Sequence, residues 1–120
     1  MKARVVAYVS DLIFSTKIAS TARAMGVEIQ IVRSLEALGN CLRGGAVDLT
    51  LIDLNAAGDD PIQALRLTRE VSPATRTVAY LSHVQTELAD AARQAGADEV
   101  LPRSAFSTRL PALLKPDDAP

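Results

Sequence analysis

The chain has 120 residues, enough for one domain with a single hydrophobic core. Hydrophobic residues make up 48% and charged residues 22% of it, which is the composition of a folded globular protein and excludes a disordered chain. Thirteen basic and fourteen acidic residues nearly cancel, so we expect no direct binding of nucleic acid through a strongly basic surface.

Scarce residue types exclude further classes of protein. With one cysteine, Cys41, and one histidine, His83, the chain cannot form an internal disulfide or the usual structural zinc sites. No apolar run approaches the roughly 18 residues that cross a bilayer. Residues 1–4 lead directly into a strand-like run, so we expect no secretory signal, no membrane association and a cytoplasmic location.

The first half of the chain alternates between two hydrophobic periods. Residues 4–9 form a short β-branched run that predicts a strand buried on both faces. Residues 12–24 carry apolar side chains at helical spacing, and a glycine follows them. Residues 27–32 alternate like a strand with one exposed face. Ser34 is a suitable N-cap for a second helix, which ends at a Gly-Gly pair and carries a cysteine on its apolar stripe.

The second half continues the same alternation. Residues 48–54 form the most apolar strand, and a polar loop separates it from a third helix predicted over 61–71, whose first residue is proline. A fourth buried strand is predicted at 77–81 and a fourth helix at 85–95. Residues 99–101 form a short fifth strand.

A proline near the C-terminal end determines where the last helix is predicted to begin. Pro111 fits the first turn of a helix but would break a helix interior, so the last helix is predicted to start near Ser107. Residues 1–115 are then one domain, and residues 116–120 are expected to form a flexible tail.

Five strand-helix units in about 115 residues predict an α/β fold. Short strands that alternate with helices pair in parallel through right-handed crossovers. We therefore predict a doubly wound, five-stranded parallel sheet of the flavodoxin-like (βα)5 type, with strand order 2-1-3-4-5.

Ligands of such sheets bind outside the carboxyl ends of the strands. Asp11 follows the first strand, Asp53 ends the third, Ser82 follows the fourth and Arg103 follows the fifth. Two neighbouring carboxylates repel each other unless a cation neutralises them, and oxygen ligands favour Mg²⁺. A cation, a hydroxyl and a guanidinium are also what the oxygens of a transferring phosphoryl group need, and an aspartate can be the nucleophile.

These residues lie in segments with a family pattern. The chain resembles the receiver domain of bacterial two-component response regulators, and the resemblance covers about residues 3–115. The segments that match are residues 5–11, 48–55, 80–83 and 96–103.

The resemblance implies a role for each site residue. Asp53 would be the phosphoacceptor, Mg²⁺ would be held by Asp11, Asp53 and the backbone carbonyl of Asn55, and Ser82 would be the switch hydroxyl. It also implies a stand-alone signalling module of a phosphorelay rather than an enzyme, with at most self-phosphorylation and dephosphorylation at Asp53. Its partners would be a histidine kinase or phosphotransfer protein and a downstream protein that binds the face formed by the fourth helix, fifth strand and fifth helix.

Four of the departures from the family pattern bear on the site. Ser10 replaces the first of two acids, so Mg²⁺ should bind more weakly. Arg103 replaces a lysine and could either hold Asp53 in a permanent ion pair or contact a phosphoryl oxygen. Val100 replaces the switch aromatic, and the ring of His83 would narrow access to Asp53.

These departures leave a second interpretation open. The chain could be a pseudo-receiver that binds its partners without phosphorylation. Asp53 could then cap the loop after its strand, and Asp11 could be the N-cap of the first helix. Flavin, cobalamin and phosphatase interpretations lack their motifs. No Gly-rich loop and no Asp-x-Asp follow the first strand, and the chain has no Asp-x-His-x-x-Gly run.

Overall fold

A computed structural model describes residues 3–82 and 85–115 of the chain. Strands and helices alternate five times, as the hydrophobic periods predict. The strands are β1 (Arg4–Tyr8), β2 (Glu28–Val32), β3 (Leu49–Asp53), β4 (Arg76–Leu81) and β5 (Glu99–Pro102). The helices are α1 (Leu12–Ala24), α2 (Leu35–Arg43), α3 (Pro61–Val71), α4 (Thr86–Gln94) and α5 (Arg103–Leu114).

All five strands pair in parallel in the order β2-β1-β3-β4-β5, which confirms the predicted fold class. β3 occupies the centre of the sheet, and each of its residues is buried. Its last residue, Asp53, is aligned with Tyr80 of β4. The alignment places these two side chains side by side on one face, because side chains at paired positions of parallel strands point the same way.

The core has one layer on each face of the sheet. Successive side chains of a strand point to opposite faces, so Val5 and Ala7 join one cluster while Val6 and Tyr8 join the other. The first cluster includes residues of α1 and α5, and the second includes residues of α2, α3 and α4. The sheet is therefore doubly wound.

Local signals fix the helix ends where the sequence predicts them. The Ser34 hydroxyl accepts a hydrogen bond from the Ala37 amide at 3.1 Å and caps α2. Gly26 has φ of +72°, a conformation that favours glycine, and it ends α1. Cys41 is half-buried beside the second cluster rather than fully buried.

The predicted start of α5 near Ser107 is wrong. The helix begins at Arg103 and contains Pro111 in its interior. The proline ring removes one backbone hydrogen bond, but Pro111 lies on the exposed side, where water can solvate the carbonyl left free. Burial of Phe106, Leu110 and other apolar residues on the opposite side stabilises the helix, so tertiary packing outweighs the local penalty.

Two expectations fall at the limits of the structure. The predicted tail at 116–120 lies outside the described residues, and the boundary of the predicted domain at 115 stays a prediction. Among residues 3–82 and 85–115, every helix is too short or too polar to span a membrane.

Pro111→Ala should stabilise the protein. Alanine restores the amide that can bond to the carbonyl of Ser107, so the free energy of unfolding should rise by about 1 kcal/mol. Urea denaturation measures this change, and Pro73→Ala in an exposed turn is the control without gain. A loss of stability in Pro111→Ala would contradict this account of α5.

Candidate functional site

The carboxyl edge of the sheet brings together four of the predicted site residues. Asp53 is the last residue of β3, Asp11 lies between β1 and α1, Ser82 follows β4, and Arg103 is the first residue of α5. The strand order places β1 and β4 on either side of β3. His83 lies outside the described residues.

Asp53 is a buried carboxylate, with only 2% of its surface exposed. Its Oδ1 accepts a hydrogen bond from the Asn55 amide at 2.9 Å, whereas Oδ2 accepts none from the described residues. Burial raises the pKa of the Asp53 carboxyl, and the nearby charge of Asp11 raises it further. The Asn55 amide and the Arg103 guanidinium act in the opposite direction but do not cancel the effect of burial.

Asp11 caps α1, as one of its two interpretations predicts, and also contacts Arg103. Its Oδ1 accepts hydrogen bonds from the amides of Ile13 at 2.9 Å and Phe14 at 3.3 Å, which makes it the N-cap of α1. Its Oδ2 lies 3.7 Å from Nη2 of Arg103. Asp11 is therefore oriented by the helix and paired with a cation at the same time.

Arg103 pairs with Asp11 rather than with Asp53. Among the described residues, the ion pair with Asp11 is the one that Arg103 makes within 4.0 Å. Its guanidinium carbon lies 5.0 Å from the centre of the Phe14 ring, a cation-π contact that orients the side chain. Its Nε is buried and finds no hydrogen-bond partner within residues 3–82 and 85–115. The planar group thus lies across the site without closing an ion pair on the buried carboxylate.

Ser82 takes part in a polar network beside Asp53. Both its amide and its hydroxyl donate to Oδ1 of Asn55, at 2.6 and 3.0 Å. The Asn55 side-chain amide in turn donates to Oε1 of Gln85 at 3.0 Å. The hydroxyl predicted as a switch therefore bonds to the loop after β3, and a rotation about its Cα–Cβ bond would free it.

Ser10 has a bonding role that its replacement of a family acid did not predict. Its hydroxyl oxygen accepts a hydrogen bond from the Ala57 amide at 2.8 Å and connects the loop after β1 with the loop after β3. Val100 is half-buried in the second core cluster, so its side chain contributes packing at the position of the family aromatic.

Tyr80 is a site residue that the sequence analysis missed. It lies beside Asp53 in the sheet, and its ring stacks on Phe106 at 4.2 Å and contacts Phe14 at 5.1 Å. Its hydroxyl is buried and has no hydrogen-bond partner among the described residues. The available signal was a tyrosine two residues before Ser82, which puts a polar group on the face that carries Asp53.

The oxygen atoms of this edge suit a weakly held hard cation. Asp11 and Asp53 offer two carboxylates, and no described residue donates a hydrogen bond to the backbone carbonyl of Asn55. Among the described residues, no group of three or more His, Cys, Asp or Glu side chains could enclose a metal ion. The two carboxylates and the carbonyl nevertheless fit Mg²⁺, which is commonly bound through one or two carboxylates and water. Arg103 competes for the Asp11 carboxylate.

Solved structures of response regulators share this architecture. A response regulator protein from Burkholderia pseudomallei, with a phosphorylated aspartic acid, a calcium ion and citrate, matches with a TM-score of 0.82 and 17% identity, over 96% of this chain and 68% of that chain. A response regulator receiver domain protein (CheY-like) from Methanospirillum hungatei JF-1 matches with a TM-score of 0.79 and 13% identity, over 94% of this chain and 97% of that chain. An orphan response regulator of H. pylori matches with a TM-score of 0.75 and 16% identity, over 94% of this chain and 97% of that chain.

The predicted resemblance is thereby confirmed for the fold. The chain has the fold of response regulator receiver domains. No protein-family model matches the chain, and no curated protein matches it.

Asp53→Asn should stabilise the protein at neutral pH by an amount on the order of 1 kcal/mol, because the amide is isosteric and uncharged. Since the folded pKa of Asp53 lies above its ordinary value of 3.8, stability falls as the pH rises from 3.8 through the folded pKa. The advantage of Asp53→Asn should therefore disappear below that range. Urea denaturation measures this difference in stability from about pH 3.5, near the ordinary carboxyl pKa, to about pH 7.

The control for this prediction is Asp90→Asn, which removes an exposed carboxylate paired with Arg93 on α4. We expect little change in that variant, since exposed ion pairs contribute little. A lower stability of Asp53→Asn at neutral pH would show that the buried charge is stabilised in the folded state.

Proposed function

We propose that this chain is a receiver-like signalling domain that accepts a phosphoryl group on Asp53 and signals by binding another protein. The observation that supports this most strongly is the buried Asp53 carboxylate, with one oxygen bonded to a backbone amide and the other without a donor among the described residues. It ends the central strand of a fold that receivers share.

The proposed reaction uses the two oxygens of Asp53 differently. Oδ1 is held by the Asn55 amide, so Oδ2 is the nucleophile. A bond forms between Oδ2 and phosphorus while the bond from phosphorus to the donor's nitrogen or oxygen breaks, and the leaving group takes the electron pair and a proton. Bound Mg²⁺ would neutralise charge on the phosphoryl oxygens, with Asp11, Asp53 and the Asn55 carbonyl as its ligands.

Two side chains are placed to respond to the added charge. Arg103 can leave Asp11 for a phosphoryl oxygen, since a pair at 3.7 Å with both side chains about one-third exposed is easily exchanged. The Ser82 hydroxyl can exchange Asn55 for the same group. Such a change shifts an equilibrium between two conformations that already exist, and the shift is the signal.

The output surface in this proposal is formed by α4, β5 and α5. β5 is an edge strand of the sheet, and α5 begins at the site residue Arg103. Glu99 of β5 pairs with Arg109 of α5 at 2.8 Å and with Arg76 of the neighbouring strand β4 at 2.6 Å. A downstream protein would bind here, and a histidine kinase or phosphotransfer protein would supply the phosphoryl group in the cytoplasm.

One observation favours a second candidate function, a pseudo-receiver that binds its partner without phosphorylation. Arg103 places a positive charge next to the Asp11 carboxylate, which Mg²⁺ would need as a ligand. Ser10 supplies no second acid there. In that case the resident guanidinium replaces the cation permanently.

Phosphorylation of Asp53 separates the two candidates. The protein incubated with phosphoramidate and Mg²⁺ should gain one phosphoryl group by intact mass, and Asp53→Asn should gain none. Asp60→Asn is the matched control, because Asp60 is an exposed cap of α3 and asparagine also caps helices. An unmodified wild-type protein, or equal labelling of Asp53→Asn, would contradict the proposed function.

Mg²⁺ affinity should follow the number of acids after β1. Ser10→Asp should bind Mg²⁺ about tenfold more tightly, which corresponds to about 1.4 kcal/mol, whereas Asp11→Asn should bind it more weakly while still capping α1. Amide chemical-shift titration measures both affinities, with Ser10→Asn as the uncharged control. Unchanged affinity in both Ser10→Asp and Asp11→Asn would place the cation elsewhere.

A further inference from the structure

Two buried hydrogen-bond donors at the carboxyl edge lack acceptors among residues 3–82 and 85–115. They are the hydroxyl of Tyr80 and Nε of Arg103. A buried donor without a partner destabilises the folded state, and native structures retain few of them. Two such donors at one edge of the sheet indicate a place where an oxygen atom is expected.

Both donors belong to one group of side chains. Tyr80 is fully buried and aligned with Asp53 in the sheet, so the two side chains share a face. The Phe14 ring contacts Tyr80 at 5.1 Å on one side and the Arg103 guanidinium at 5.0 Å on another. Phe14 thus packs against both side chains that carry these donors.

The electrostatic surroundings keep the Tyr80 hydroxyl a donor. Burial raises the pKa of Tyr80 far above its ordinary value, and the charge of Asp53 adds to the effect. The hydroxyl therefore stays protonated at all physiological pH values and can donate a hydrogen bond to an anionic oxygen.

The second buried tyrosine provides an internal comparison. Tyr8 lies on the opposite face of the sheet, and its hydroxyl donates to the carbonyl of Asp59 at 2.6 Å. The fold therefore provides a partner for a buried tyrosine hydroxyl where the role is structural. Tyr80, the tyrosine next to Asp53, has no such partner in the part of the chain that the structure describes.

We propose that the Tyr80 hydroxyl is a further residue of the phosphoacceptor pocket and donates a hydrogen bond to an oxygen of the phosphoryl group on Asp53, with Nε of Arg103 as a second donor. This inference rests on the proposed function. It assigns Tyr80 part of the contact surface that the family lysine would supply, since Arg103 is planar and already lies against Asp11. Once the phosphoryl group is present, both unpaired donors are satisfied.

The test uses Tyr80→Phe, which removes one oxygen and keeps the ring packing, and Tyr8→Phe as the matched control. The affinity of each full-length protein for beryllofluoride is measured at saturating Mg²⁺ by fluorine NMR. Tyr80→Phe should bind the mimic about tenfold more weakly, as expected for a lost bond to a charged acceptor, and Tyr8→Phe should bind it like the wild type.

Urea denaturation without the mimic gives an independent readout. Tyr80→Phe should unfold at the same or a higher urea concentration than the wild type, because it removes an unpaired buried group, whereas Tyr8→Phe should unfold at a lower one. A merely structural Tyr80 predicts the reverse, a lower unfolding midpoint with unchanged binding.

The outcomes distinguish this inference from the proposed function. If the wild type binds beryllofluoride and Tyr80→Phe binds it equally well, the role of Tyr80 is overturned and the phosphoacceptor proposal stands. If the folded wild type does not bind beryllofluoride, both proposals are overturned. Weaker binding together with an undiminished unfolding midpoint supports the inference.

Discussion

The burial of the Asp53 carboxylate at the end of the central strand is the constraint on which the rest of the site depends. Every residue of β3 is buried, so the chain places a charge where the sheet is most apolar. The cost of that burial is reduced by the Asn55 amide and by the positive charge of Arg103. The arrangement leaves the negative charge of Asp53 incompletely compensated. A bound cation would supply the missing positive charge, and a phosphoryl group would increase the need for it.

The departures from the receiver pattern act on this same imbalance. Ser10 bonds to the Ala57 amide and adds no charge, whereas Arg103 adds a positive charge that Asp11 shares. The site therefore carries two acids and one guanidinium, a more nearly neutral set than three acids and a lysine would be. Under the proposed function, that balance predicts a weaker demand for Mg²⁺ and a stronger role for hydrogen-bond donors such as Tyr80.

The fold could be predicted from the sequence because periodicity and breakers act locally. Strand runs, the Ser34 cap and the proline that begins α3 each specified an element. α5 could not be predicted in the same way, because the burial of Phe106 and Leu110 outweighs the local effect of Pro111. That contribution depends on contacts between distant parts of the chain, which no local pattern contains.

The site could be predicted in position but not in pairing. Parallel topology places Asp11, Asp53, Ser82 and Arg103 at one edge whatever their rotamers. The partner of Arg103 depends on its contact with Phe14 and on a difference of about an ångström, and the missing partner of Tyr80 depends on packing around its ring. Sequence spacing alone does not specify distances of that size.

The most direct test of the account is an amide NMR titration of the protein with Mg²⁺ and then with beryllofluoride. The account predicts shifts at Asp11 and Asp53 with Mg²⁺, further shifts at Ser82 and Arg103 with the mimic, and the loss of the second set in Asp53→Asn. An unchanged spectrum at saturating Mg²⁺ and beryllofluoride would contradict it and would identify the chain as a phosphorylation-independent binding module.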